Sequence, residues 1–199
     1  AWCFSGAAAV DCAGNRLSFF GPEDLPRYFS AEDVIAGGGG FCATNTIFAR
    51  TEFFRCMPSY VQTYSLDYMV QIYLSTCGDT YGISGELSAY RRNTEGSWSE
   101  RMYRAPEAYV RHEQKLKKHL ALFDEATGEK YHAAVSAAVD KLDFDILYFQ
   151  RNYRALRQPR FKAVYAAMSP KARLKFRLDQ FFPGLMNLYD KMKKKHGQL

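Results

Sequence analysis

Two residue types in this chain are equipped for chemistry, thiols and imidazoles. The cysteines are Cys3, Cys12, Cys42, Cys56 and Cys77; the histidines are His112, His119, His132 and His196. Nucleophilic catalysis needs a thiol or hydroxyl beside an imidazole that a carboxylate orients. Here every histidine lies downstream of the last cysteine, and no G-x-S-x-G occurs. A zinc site needs cysteines and histidines at short spacing, and no C-x-x-C is present. His112 and His119 share a helical face, but seven residues span about 10 Å along a helix, too far for one ion. The tetraglycine Gly37–Gly40 lacks the Gly-Lys-Ser/Thr ending of a phosphate-binding loop and reads as a flexible connector. The thiols read as mostly reduced and buried, with a Cys3–Cys12 bridge as the open alternative. The expectation is a protein that is not an enzyme, with no catalytic, metal-binding or cofactor-binding residues and no cofactor.

Binding chemistry is better represented. Arg151, Arg154, Arg157, Arg160 and Lys162 are interleaved with Tyr153 and Phe161. Cations of this kind neutralise phosphates and rings stack on bases, so the stretch suits single-stranded RNA. The same groups can grip an acidic polypeptide. The charge is divided unevenly along the chain. Residues 1–100 hold 6 Arg, no Lys and 11 Asp or Glu, whereas residues 101–199 hold 21 Lys or Arg and 10 Asp or Glu. Two halves of opposite sign imply different partners, and the basic half suits nucleic acid, anionic lipid or an acidic protein. The chain also carries 15 Phe, 14 Tyr and 2 Trp. That share fits either an aromatic-rich core or a permanent interface. The partner-binding candidates are therefore Trp2, Phe4, Trp98, Arg151, Tyr153, Arg154, Arg157 and Arg160.

These side chains need elements to hold them. The longest helical periodicity runs from Pro106 to Leu156. Tyr109, Leu116, Leu120 and Phe123 form one stripe, and Tyr131, Val135, Ala138 and Val139 a second. Asp143 reads as the N-cap of a third helix with Phe144, Leu147, Tyr148 and Leu156. Upstream, Leu66, Met69, Val70, Tyr73, Leu74 and Cys77 fall at helical spacing and Gly78 stops them. Pro22 suits the first turn of a short helix, Ser30–Asp33 a capping box, and Thr44 or Asn45 the cap of a helix to Met57. Downstream, Phe161–Met168 reads as a short helix. Ser169-Pro170 caps another with Leu174, Leu178, Phe181 and Phe182, and a last one follows from Leu185. The pattern predicts an all-α fold of antiparallel helical hairpins, irregular or stacked as a solenoid, with an extended N-terminal arm. Residues 1–21 are the irregular arm, whose rings dock on the chain or on a partner. Residues 22–104 are an acidic helical half with a long connecting loop over 78–105, relieved by a helical turn near 85–92. Residues 105–199 are a basic helical half continuous with it. No apolar run of about 20 residues occurs, so no membrane span is expected.

The segment Tyr131–Leu156 resembles one repeat of the pentatricopeptide family, whose helical hairpins stack into a solenoid. Tyr131 and His132 stand at the family's opening Tyr-Asn pair, Val135 and Ala137 at its aliphatic and small positions, and Phe144 and Asp145 at the Leu-Asp that opens its second helix. Leu142 replaces the turn Gly and Leu147 a small Ala, which marks the repeat as degenerate. Degenerate proteins similar to this family serve as non-catalytic subunits of mitochondrial complexes, including protist ATP synthase. The resemblance implies an accessory subunit of a large, membrane-associated mitochondrial assembly, ATP synthase in particular, in the matrix or on the matrix face of the inner membrane. Its partners would be other protein subunits. The alternative, carried by the basic and aromatic run, is an RNA-binding mitochondrial protein associated with the ribosome or RNA processing. The start at Ala1 fits a mature product freed of a targeting segment, and equally a trimmed chain.

Overall fold

A computed structural model of the chain describes residues 1–63, 67–92, 94, 96–97, 101–102 and 105–182. The chain is mixed α/β, and the all-α expectation fails in the acidic half. The first 21 residues are no arm. They supply β1 (Trp2–Val10) and β2 (Arg16–Phe20) of a five-stranded sheet. Completing it are β3 (Arg27–Phe29), β4 (Phe48–Ala49) and β5 (Thr80–Arg91). β1 is the organising strand. β2 and β4 pair with it antiparallel at its two ends, β5 runs parallel along its other edge, and β3 lies antiparallel outside β5.

Small residues in β1 shape this sheet. Phe19 of β2 covers Gly6, where a β-carbon would lie 2.3 Å from its ring. Phe20 of β2 and Tyr90 of β5 meet edge to face at 5.0 Å between centroids. Their Cα partners on β1 are Ala7 and Ala9, both fully buried. Arg16 and Glu86 close an ion pair between the same two flanking strands. The glycines of β5, which read as loop, have structural reasons. A β-carbon on Gly82 would lie 2.3 Å from Leu25 Cδ2 and 2.9 Å from the Phe29 ring. Gly85 has φ +98° where the β1–β5 register shifts, a conformation that favours glycine.

The helices of the acidic half are short. The capping box at Ser30 forms as expected: Asp33 N donates to Ser30 Oγ at 3.1 Å and Ser30 N to Asp33 Oδ2 at 3.0 Å. It starts α1 (Ala31–Gly37), which buries Val34 and Ile35. Three differences from the sequence reading follow. Pro22 starts no helix and leads instead toward β3. The helix expected to Met57 is broken into a 3-10 turn at Thr44–Thr46, β4 and α2 (Thr51–Arg55). The turn expected near 85–92 is strand. A four-residue α3 (Ser59–Gln62) then precedes α4 (Asp67–Thr76). Of the predicted stripe on α4, Met69, Tyr73 and Leu74 are buried, Val70 and Cys77 are half-buried and Leu66 lies outside the described residues; Ile72, off the stripe, is buried as well. Trp2, Phe4, Phe29 and Phe41 form an aromatic cluster with centroids 5.0–6.5 Å apart.

The chain divides into two units, residues 1–139 and 140–199. Unit one also contains α5 (Pro106–Ala126), whose Leu116, Leu120 and Phe123 are buried as the stripe predicted. The division falls within α6 (His132–Phe149). Asp143 is therefore not an N-cap, and the break expected there does not exist. Inside the helix its carboxylate accepts from Arg160 Nη1 at 2.9 Å. Unit two continues with 3-10 turns at Ala155–Arg157 and Pro159–Phe161, then α7 (Lys162–Ala167) and α8 (Pro170–Phe181). Ser169 caps α8 as expected, accepting from Ala172 N at 3.2 Å with Pro170 in the first turn. The last helix expected from Leu185 lies outside the described residues.

Candidate functional site

None of the five cysteines is in a disulfide, and only Cys42 is buried, contrary to the expectation for most of them. Burial pushes its thiol up to about 12, so it stays protonated and unreactive. His119 is buried on α5 and its Nδ1 donates to the Tyr60 carbonyl at 2.7 Å. His132 Nδ1 donates to Asp124 Oδ2 at 2.6 Å across the α5–α6 turn. Among the described residues no three His, Cys, Asp or Glu side chains converge as a metal site would require.

The binding candidates separate into three groups. Trp2 and Phe4 are 4% and 0% exposed, so their rings belong to the core of unit one. Trp98 lies outside the described residues. The remaining five, Arg151, Tyr153, Arg154, Arg157 and Arg160, stand together in unit two, in the loop after α6 and the two 3-10 turns that follow. This loop begins with Arg151 at φ +57°, where Asn152 N donates to Leu147 O at 2.9 Å and Arg151 N to Tyr148 O at 3.0 Å. That pair of bonds ends a helix with a left-handed residue, usually glycine.

The unit is built on rings. Phe144, Leu156 and Phe161 form its buried centre, and Tyr148, Tyr153 and Phe176 pack against it. Tyr153 meets Phe176 edge to face at 6.1 Å, and Tyr165 meets Phe176 at 5.6 Å. Tyr148 Oη and Lys175 Nζ both donate to Asp179 Oδ2. Burial, and after it the Asp179 carboxylate, raises the Tyr153 phenol above its ordinary value, so at neutral pH it is an uncharged donor. Between these rings lies a cavity of about 340 Å³. Tyr153, Phe161, Tyr165 and Phe176 line it, together with the exposed Arg157 and Lys162.

Charge within the unit is one-sided. Residues 140–182 contain ten Lys or Arg and four Asp. All four aspartates are engaged inside the unit: Asp140 and Asp143 by Arg160, Asp145 by Lys141, and Asp179 by Lys175. Arg160 also lies over the Phe161 ring at 4.4 Å. Arg154, Arg157 and Lys162 have no carboxylate partner among the described residues. Unpaired cations beside an aromatic-walled cavity can hold an anionic group and stack or cover a planar one. The sequence pointed to this run through its interleaved rings and cations. It missed Tyr165 and Phe176, which reach the cavity only from α7 and α8, further along the chain. Compared with known proteins, the chain matches no family, no curated protein and no solved structure.

Proposed function

We propose that this chain is a non-catalytic accessory subunit that joins a larger assembly through the basic face of its second unit. The observation that supports this reading is the surplus of cations in unit two: its aromatic framework and all four of its described aspartates are internally engaged, yet Arg154, Arg157 and Lys162 are exposed with no carboxylate partner among the described residues. Such a surface is stabilised when an acidic neighbour supplies the missing charge. The mitochondrial setting, with ATP synthase as parent, rests on the resemblance of residues 131–156 alone and is the narrower part of the proposal. Lysine-directed crosslinking in the native source, read by mass spectrometry, tests it. Crosslinks from Lys162 to one or two defined subunits are expected. Crosslinks scattered over unrelated proteins would contradict it.

A second reading has its own support in the aromatic walls of the cavity. Rings beside cations suit a base and its phosphate in single-stranded RNA. That reading requires binding that falls steeply with salt. A flat salt dependence, or no binding at low salt, removes it.

A further inference from the structure

Helix α8 turns a second apolar face away from the core of unit two. Its inner side carries Phe176, packed on that core, and the buried Asp179. On the other side Leu174, Leu178 and Phe181 are 59%, 37% and 65% exposed, and the cap residue Phe182 is 54% exposed. The three helical residues fall at offsets of 0, 4 and 7, one stripe along the helix. At 3.6 residues per turn, Arg173 and Arg177 border the stripe on one side and Lys171 and Lys175 on the other. Asp179 is the sole acid on α8, and it bonds to Lys175 and Tyr148 instead of facing solvent. The outward surface of α8 is therefore an apolar crest between two cationic margins, with no exposed carboxylate.

We infer that α8 lies on an anionic lipid surface, with Leu174, Leu178 and Phe181 entering the boundary between headgroups and acyl chains. The charge pattern selects this occupant. A polynucleotide would match the cations but leave two leucines without a role. A bilayer bearing acidic headgroups matches both features at once: the crest meets hydrocarbon and the flanking lysines and arginines extend to the headgroups. The sequence beyond the helix adds Lys191, Lys193, Lys194 and Lys195 against the single acid Asp190, a run that strengthens attraction to such a surface. No helix among the described residues is long and apolar enough to cross a membrane, so the contact is with one leaflet. The inference goes beyond the accessory-subunit reading and does not depend on it.

The test is flotation of the full chain with vesicles of phosphatidylcholine alone and of phosphatidylcholine mixed with phosphatidylglycerol. Binding is expected only to the anionic vesicles and weakens as salt rises. Leu174→Ser with Phe181→Ser lowers it by about tenfold, and Arg173→Gln with Arg177→Gln lowers it by a similar factor. Leu174, Phe181 and Arg177 are exposed, while Arg173 is half-buried and also donates to Met168 O at 2.9 Å, so each variant is first verified as folded by an unchanged circular dichroism spectrum. Equal binding to neutral vesicles, or none to either, overturns the inference. So does retained binding by the Leu174→Ser, Phe181→Ser variant with displacement by single-stranded RNA, which would assign the surface to nucleic acid.

Discussion

Arg160 Nη1 lies 2.9 Å from Asp143 Oδ2, and the same nitrogen reaches Asp140 at 3.1 Å. This contact separates Arg160, which holds the fold, from Arg154 and Arg157, for which no carboxylate partner stands among the described residues. Arg160→Ala leaves two carboxylates on one helix face without their counter-ion. It should lower the stability of unit two by about 1 kcal/mol, while Arg157→Ala should change it by less than about 0.5 kcal/mol. Urea unfolding of the two variants checks the contrast. Partner binding should follow the opposite order, with Arg157→Ala the more damaging.

The sheet makes a sharper demand. Gly82→Ala places a methyl against Leu25, Phe29 and Phe4 at 2.3, 2.9 and 3.2 Å. Overpacking of this kind costs about 1–3 kcal/mol. Gly39→Ala, with nothing within 4 Å of the new methyl, should stay within about 0.5 kcal/mol of the native chain. Unfolding midpoints that are the same for both would show that β5 does not pack as described.

How far the sequence could be read follows from these glycines. Helical stripes with large residues on one side, as in α5 and α8, are legible because the opposite side of each helix is polar. The β1 strand is not. Its Trp2 and Phe4 are followed by Gly6, Ala7, Ala8 and Ala9, so it shows no alternation, and both its faces are covered. Gly82 and Gly85 gave β5 the composition of a loop, when one marks a close approach and the other a register shift. The alternation of Tyr81 and Ile83 with small residues was the weak signal available. In the candidate site, local spacing disclosed Tyr153 and Arg157. It could not disclose Tyr165 and Phe176, which come from helices further along the chain.

A local test concerns the start of α1. Ser30 and Asp33 satisfy each other's backbone amides. Ser30→Ala removes one acceptor and should cost about 1 kcal/mol. Amide exchange at Asp33 should quicken, and exchange in α8, whose cap is Ser169, should not change.

Proton linkage separates two imidazoles. The hydrogen bond to Asp124, then the charge of that carboxylate, raises His132 above its ordinary 6.5. Burial, then Lys115, lowers His112. The His132–Asp124 pair therefore contributes stability that is fully present below pH 6.5 and is lost as pH rises through the higher folded value. NMR titration should give His132 a midpoint above that of His112. Asp124→Asn should bring the His132 midpoint down and leave His112 in place. Coincident midpoints in the native chain would contradict the contact.

The account turns on whether Arg154, Arg157 and Lys162 hold this chain in an assembly. Isolation of the tagged chain from its native source in mild detergent, followed by native electrophoresis, asks this most directly. The native chain should migrate in a large complex, and Arg154→Glu with Arg157→Glu should release it as a folded monomer. A native chain that runs as a free monomer, or a double variant that stays in the complex undiminished, would contradict the account.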